Sequence, residues 1–153
     1  MEPVTYVAHR WLMHGPGMTW HASHHRGNAR LERRRDAPWP PLDGDGNPLV
    51  GLERNDRFPV VFAATTISAM SLGALVPRLR VLLPVGAGVT AYGLTYAVVH
   101  DGYIHQRVPW LRARRPLLEP LAEAHALHHR YGAEPYGMLA PVVPRSVRLR
   151  ATA

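Results

Sequence analysis

PVVFAATTISAMSLGALV, from Pro59 to Val76, is followed after only Pro77-Arg78-Leu79-Arg80 by VLLPVGAGVTAYGLTYAVV, from Val81 to Val99. Neither run holds a charged residue, and each is about as long as a helix must be to cross a hydrocarbon core of roughly 30 Å. So short a connection makes the two an antiparallel hairpin. Thr65, Thr66, Ser68 and Ser71, with Gly86, Gly88 and Gly93, dilute the apolar character, and the alternative is a pair of buried helices in a soluble protein. Small residues are common where membrane helices pack closely. The fold class read from this stretch is all-α, an integral-membrane helical bundle.

Both outer ends of such a hairpin emerge on one side of the membrane. That side receives Glu53 to Arg57 and His100 to Arg115, whose arginines outnumber Arg78 and Arg80 in the turn, so it is predicted to face the cytoplasm from the inner membrane. The length of 153 residues suits a single domain over 1–153, with no room for a separate cofactor-binding domain, and any electron donor is then another protein. Residues of about 26–57 read as an irregular arm, a charge-rich run followed by Pro38, Pro40, Pro41, Gly44, Gly46 and Pro48. Beyond His129 the chain reads as loop, ending in a basic tail. Glu2 to Met13 has helical character yet reaches the first histidine at once. Met1 is therefore expected to be an internal methionine of a longer natural protein whose first membrane helix precedes it.

The formal charge is +7, and every basic residue is arginine. Charge alone admits nucleic acid, anionic lipid or an acidic protein as partner. The arginines cluster between the apolar stretches, as in Arg33-Arg34-Arg35 and Arg112-Ala113-Arg114-Arg115, without the interleaved aromatic residues of a base-stacking surface, so nucleic acid is not expected. Cysteine is absent, which excludes a disulfide framework, a thiolate metal site and a cysteine nucleophile.

The ten histidines fall into four clusters. His9 with His14 forms HxxxxH, and His21 with His24 and His25 forms HxxHH. His100 with His105 repeats the first pattern, and His125 with His128 and His129 repeats the second. A duplicated set of imidazoles is what a two-metal centre needs, each half contributing to a shared site. On an α-helix, positions three and four apart lie on one face, so each HxxHH can present two or three rings together. The five-residue spacing of HxxxxH fits an α-helix poorly, leaving about 140° between its side chains. Such a pair either bridges different metals or gives one member to a supporting role. Imidazole suits zinc, copper, iron and nickel. HExxH is absent, as is the carboxylate pattern of ferritin-like sites, and ten histidines suffice for two metals with positions left open.

HRWLMHGPGMTWHASHH from His9 to His25, ERND from Glu53 to Asp56, HDGYIHQR from His100 to Arg107 and HALHH from His125 to His129 resemble the motifs of bacterial beta-carotene 3-hydroxylases, within the fatty-acid hydroxylase and sterol desaturase superfamily. The resemblance covers most of the chain. It implies a membrane enzyme whose ten histidines hold two non-haem irons on the cytoplasmic face. It also implies O2 as co-substrate, electrons from ferredoxin and its NAD(P)H reductase, and hydroxylation of beta-carotene at ring carbon 3, through cryptoxanthin to zeaxanthin. Two departures stand out: the family's N-terminal membrane helix is missing, and the arm from Arg26 to Gly51 is longer than the usual linker.

Removing hydrogen from an unactivated C–H bond needs a redox metal. Asp101, Asp56 and Glu123 are candidates to orient imidazoles from behind, each with helix capping or arginine pairing as the alternative. Arg107, Arg112, Arg114 and Arg115 are candidates to dock an acidic ferredoxin, against simple positive-inside anchoring. Tyr92, Tyr96 and Tyr103 either line a path for the carotenoid or pack between helices. Two rival functions remain: a hydroxylase or desaturase of the same scaffold acting on a sterol, fatty acyl chain or other carotenoid, and a non-catalytic metal-binding membrane protein or truncated remnant.

Overall fold

The computed structural model describes residues 1–31, 36–42 and 45–152, with 26–31 by their backbone alone. Arg33, Arg34 and Arg35 fall outside the described residues. Most of those described are helical, with no strand among them. α1 (Glu2–Val7) continues into a wider π-helical turn, Ala8–Met13, and α2 (Met18–Leu31) follows. α3 (Arg57–Leu75) and α4 (Leu82–Ala97) form the hairpin, and α4 also ends in a π-helical turn, Val98–Ile104. α5 (Glu119–Tyr131) and the short basic α6 (Arg145–Thr152) complete the chain.

The hairpin follows from its sequence. Pro77 forces Val76 out of the helical region, to φ −112° and ψ 108°, and stops α3 there. Pro84 sits in the first turn of α4, where a missing N–H costs little. Gly86 lets the two helices touch: a β-carbon there would lie 2.2 Å from Met70 Cγ. The continuous helical spans, Arg54–Leu75 and Leu82–Ile104, run 22 and 23 residues, long and apolar enough to cross a membrane. Only 11% of each apolar window is buried, and Val60, Ile67, Leu75, Val85 and Leu94 are exposed. Core helices of a soluble protein would be covered, so this exposure favours lipid as their surroundings.

α2 runs on to Leu31, past Arg26 where the composition suggests an arm, because Arg26 to Leu31 contains no proline to interrupt it. The arm also ends early, at a 3-10 turn, Arg54–Asp56, that leads into α3. The turn Ala8–Met13 and α5 pack against α2, and α5 also meets the turn Val98–Ile104, at the end of the hairpin where α3 begins and α4 finishes. A small apolar core of Val99, Tyr103, Ile104 and Met138 lies there. Eight imidazoles are buried as well: His9, His21, His24, His100, His105, His125, His128 and His129.

Replacing Gly86 by valine is expected to force Met70 aside and destabilise the hairpin by about 1–3 kcal/mol. Thermal unfolding in detergent measures it, and an unchanged midpoint would show that the helices part without cost.

Candidate metal centre

The two π-helical turns decide how HxxxxH works. His14 N–H donates to the carbonyl of His9 (3.0 Å), and His105 N–H to that of His100 (2.9 Å). These bonds span five residues instead of four, so residues five apart come onto one face. The 140° separation expected of an α-helix therefore does not arise.

The rings converge in two groups. His9, His14, His21 and His128 form the first, and His24, His100, His105 and His125 the second, each with one ligand nitrogen per residue lying within 4.8 Å of the others. Each HxxxxH is joined by the first histidine of its own HxxHH and by the second histidine of the other. Neither group is complete without both halves of the chain. The third histidines, His25 and His129, stack on each other between the groups, centroids 4.5 Å apart. The His25 Nε2 lies 3.1 Å from the His21 Nε2 of the first group. The His129 ring centroid lies 4.4 Å from that of His125 in the second.

The outer nitrogens fix the tautomers. His9 Nδ1 donates to the carbonyl of Tyr136 (3.0 Å), His21 Nδ1 to Asn55 Oδ1 (2.8 Å) and His24 Nδ1 to Glu53 Oε2 (3.2 Å). His100 Nδ1 donates to Asp101 Oδ1 (2.8 Å) and His128 Nδ1 to the carbonyl of Ala133 (2.6 Å). That last carbonyl is within reach because Gly132, at φ +62°, ends α5 and turns the chain back. A proton on Nδ1 leaves a lone pair on Nε2. Yet Nε2 of His9 lies 3.1 Å from Nε2 of His21, and Nε2 of His24 lies 3.3 Å from that of His100. Two lone pairs at that distance repel unless a cation lies between them. Ligands on neighbouring positions of one ion, bound at about 2.1 Å, stand about 3.0–3.4 Å apart, so the nitrogens present fit a metal.

Protons do not serve as that cation. Burial holds His21 and His128 down at about 3 and His25 at about 4, and it pushes His9, His24, His105, His125 and His129 well down too, with neighbouring imidazoles adding repulsion. His14, less enclosed, is lowered by burial as well.

With that geometry in place, comparison with known proteins is informative. The chain is 38% identical to a beta-carotene hydroxylase of Pantoea ananas, over 99% of this chain and 76% of the relative. It is 39% identical to one of Pseudescherichia vulneris, over 84% of this chain and 61% of the relative. The chain belongs to the beta-carotene hydroxylase family. A chloroplastic beta-carotene 3-hydroxylase of Arabidopsis thaliana is 35% identical over 86% of this chain and 37% of its own length. The chain thus spans about three fifths to three quarters of those bacterial relatives and far less of the plant one. No family model matches it, and no solved structure gives a significant match.

The groups around the centre differ in part from those the sequence suggests. Asp101 does contact a histidine of this beta-carotene hydroxylase family member. Asp56 does not: it binds Arg107 through both oxygens (2.7 Å each) and accepts the Glu53 N–H (2.8 Å). Glu123 is exposed, one position before the buried face of α5, and does not orient a ring. Glu53 and Asn55 do that instead, both from the turn leading into α3. ERND marks them only by resemblance, because an asparagine carries no charge to single it out and its partner is far away in sequence.

Arg107 turns inward to Asp56 and the Gly51 carbonyl, and Arg112 to the carbonyl of Ala37 (2.7 Å), so neither is a free docking cation. Arg114 pairs with Glu119 (2.9 Å), its side chain still 63% exposed. Tyr103 is wholly buried and donates to Glu119, Tyr96 stacks on His100 (4.8 Å), and Tyr92 donates to Glu2. For Tyr103 the structure selects packing over a substrate path.

Replacing Asn55 by alanine is expected to free His21 Nδ1 and to lower metal affinity about 10–100-fold; equilibrium titration against a competing chelator measures it, and unaltered affinity would leave Asn55 without that role. Depressed histidine pKa values mean that the unfolded chain takes up protons the folded chain refuses. Stability of the metal-free protein should therefore be full above pH 6.5 and fall as the pH drops from 6.5 towards about 3–4. Denaturation in detergent at stepped pH tests this, and stability flat between pH 7 and 4 would contradict it.

Proposed function

We propose that this chain hydroxylates the beta-ionone ring of beta-carotene at carbon 3, giving cryptoxanthin and then zeaxanthin, at a non-haem di-iron centre. The observation that carries this reading is the pair of interlocked four-histidine groups in a chain of the beta-carotene hydroxylase family. Bound iron would supply the redox chemistry that activates O2, one oxygen atom entering the C–H bond and the other leaving as water, with two electrons and two protons consumed.

The residues divide that work. His9, His14, His21 and His128 would hold one iron, and His24, His100, His105 and His125 the other, with His25 and His129 as a fifth imidazole beside each. Neutral imidazole ligands would leave the bound centre with a high positive charge. Glu53 and Asp101, behind His24 and His100, offset part of it and fix those rings in place. The apolar hairpin keeps a lipid-soluble substrate at the membrane face of the centre. The side bearing the histidines is assigned to the cytoplasm of the inner membrane, supported by Arg54, Arg57, Arg107, Arg112, Arg114 and Arg115 against Arg78 and Arg80 in the turn. An acidic donor such as ferredoxin, re-reduced by its NAD(P)H reductase, would approach from that side, where Arg114 and Arg115 remain exposed.

Expression in bacteria that accumulate beta-carotene tests the reaction. Chromatography should show cryptoxanthin and zeaxanthin with this chain, and none with His128→Ala. Unchanged beta-carotene despite iron-loaded protein in the membrane would move the substrate to another lipid, and full activity of His128→Ala would remove that residue from the iron site.

A further inference from the structure

Outside the two histidine groups, the carboxylate of Glu2 gathers several donors at once. It accepts the backbone N–H groups of Met138, Leu139 (3.0 Å) and Ala140 (3.1 Å), and the Tyr92 hydroxyl of α4. Glu2 and His9 are seven residues apart on one helix, two turns along the same face. His9 meets the same loop from that face, donating its Nδ1 proton to the carbonyl of Tyr136. One helix face thus grips one loop at two points: Glu2 takes its N–H groups, and His9 gives a proton to its carbonyl.

The fit is close. A β-carbon on Gly137 would lie 2.9 Å from the Glu2 carboxylate, and Met138 is 1% exposed. Tyr92 lies inside the apolar helix Leu82–Ile104, so the contact sits at a depth where irregular backbone must find partners within the protein. Removing the carboxylate strips several donors of their acceptor at once.

We propose that Glu2 is a positioning residue for the first metal group: by anchoring the loop it holds the Tyr136 carbonyl against His9 and so aims the His9 Nε2 at the ion. This rests on the metal-binding reading above. The effect falls mainly on the first group: His9 bonds the loop directly, whereas the outer nitrogens of His100 and His24 are held by Asp101 and Glu53, and Met138 of the loop meets the second group's turn through apolar packing against Val99, Tyr103 and Ile104.

Cobalt(II) titration of the full chain in detergent tests it in two backgrounds. His105→Ala dismantles the second group and leaves the first, and His14→Ala does the reverse. Glu2→Gln is expected to weaken cobalt binding about 10–100-fold in the His105→Ala background, and by less than about twofold in the His14→Ala background. Equal weakening in both, or none in the first, overturns the proposal. Should Glu2→Gln fail to fold, Glu2→Asp, which keeps the charge but shortens its reach, is read by the same comparison. Uptake of fewer than two cobalt ions by the unsubstituted chain would instead overturn the metal-binding reading itself, which separates the two failures.

Discussion

Imidazole lone pairs that face one another across 3.1–3.3 Å set the terms for the rest of this molecule. Protonation does not relieve them, because burial disfavours the charged rings, and hydrogen bonds from Nδ1 prevent the rings from offering a proton inward. A multivalent cation does. The polar interior at the hairpin end, costly in an empty protein, becomes a binding site once that cation is supplied. Much of the fold there serves to keep Nδ1 protonated: the Gly132 turn brings up the Ala133 carbonyl, the turn before α3 brings up Glu53 and Asn55, and the loop after α5 brings up the Tyr136 carbonyl.

The two halves of the chain are also locked together by this centre. His24 crosses from the first half into the group built on His100 and His105, and His128 crosses in the opposite direction, so neither four-histidine group forms from one half alone. The two hairpin helices pack on each other, at Gly86 against Met70 and at Gly73 against Leu82, but leave most of their apolar windows uncovered. Metal binding is therefore coupled to assembly of the whole helical cap over the hairpin. His25 and His129, stacked at the midpoint, are the only histidines whose places the HxxxxH-plus-exchange rule does not assign to a four-membered group.

Much of this was legible in the sequence, for physical reasons. Charge-free runs joined by four residues have few alternatives to a hairpin, and the duplicated histidine patterns point to a shared centre. The exchange of His24 and His128 was not legible, since spacing within a motif says which rings share a face but not which opposing ring they meet. The π-helical turns escaped as well: a five-residue interval suits a wide turn and suits an α-helix badly, and the α-helix is by far the commoner structure. Of the carboxylates that the sequence offers to orient rings, Asp101 meets a histidine but Asp56 and Glu123 do not, and the remaining contacts belong to Glu53, Asn55 and two backbone carbonyls. Backbone acceptors carry no signature in the side-chain sequence.

Anomalous diffraction at the iron edge, from crystals of protein grown with iron, tests the central claim most directly. Two separate peaks are expected in each chain, one enclosed by His9, His14, His21 and His128 and the other by His24, His100, His105 and His125. A single peak, or peaks lying away from the converging Nε2 atoms, would contradict the two interlocked groups as iron sites.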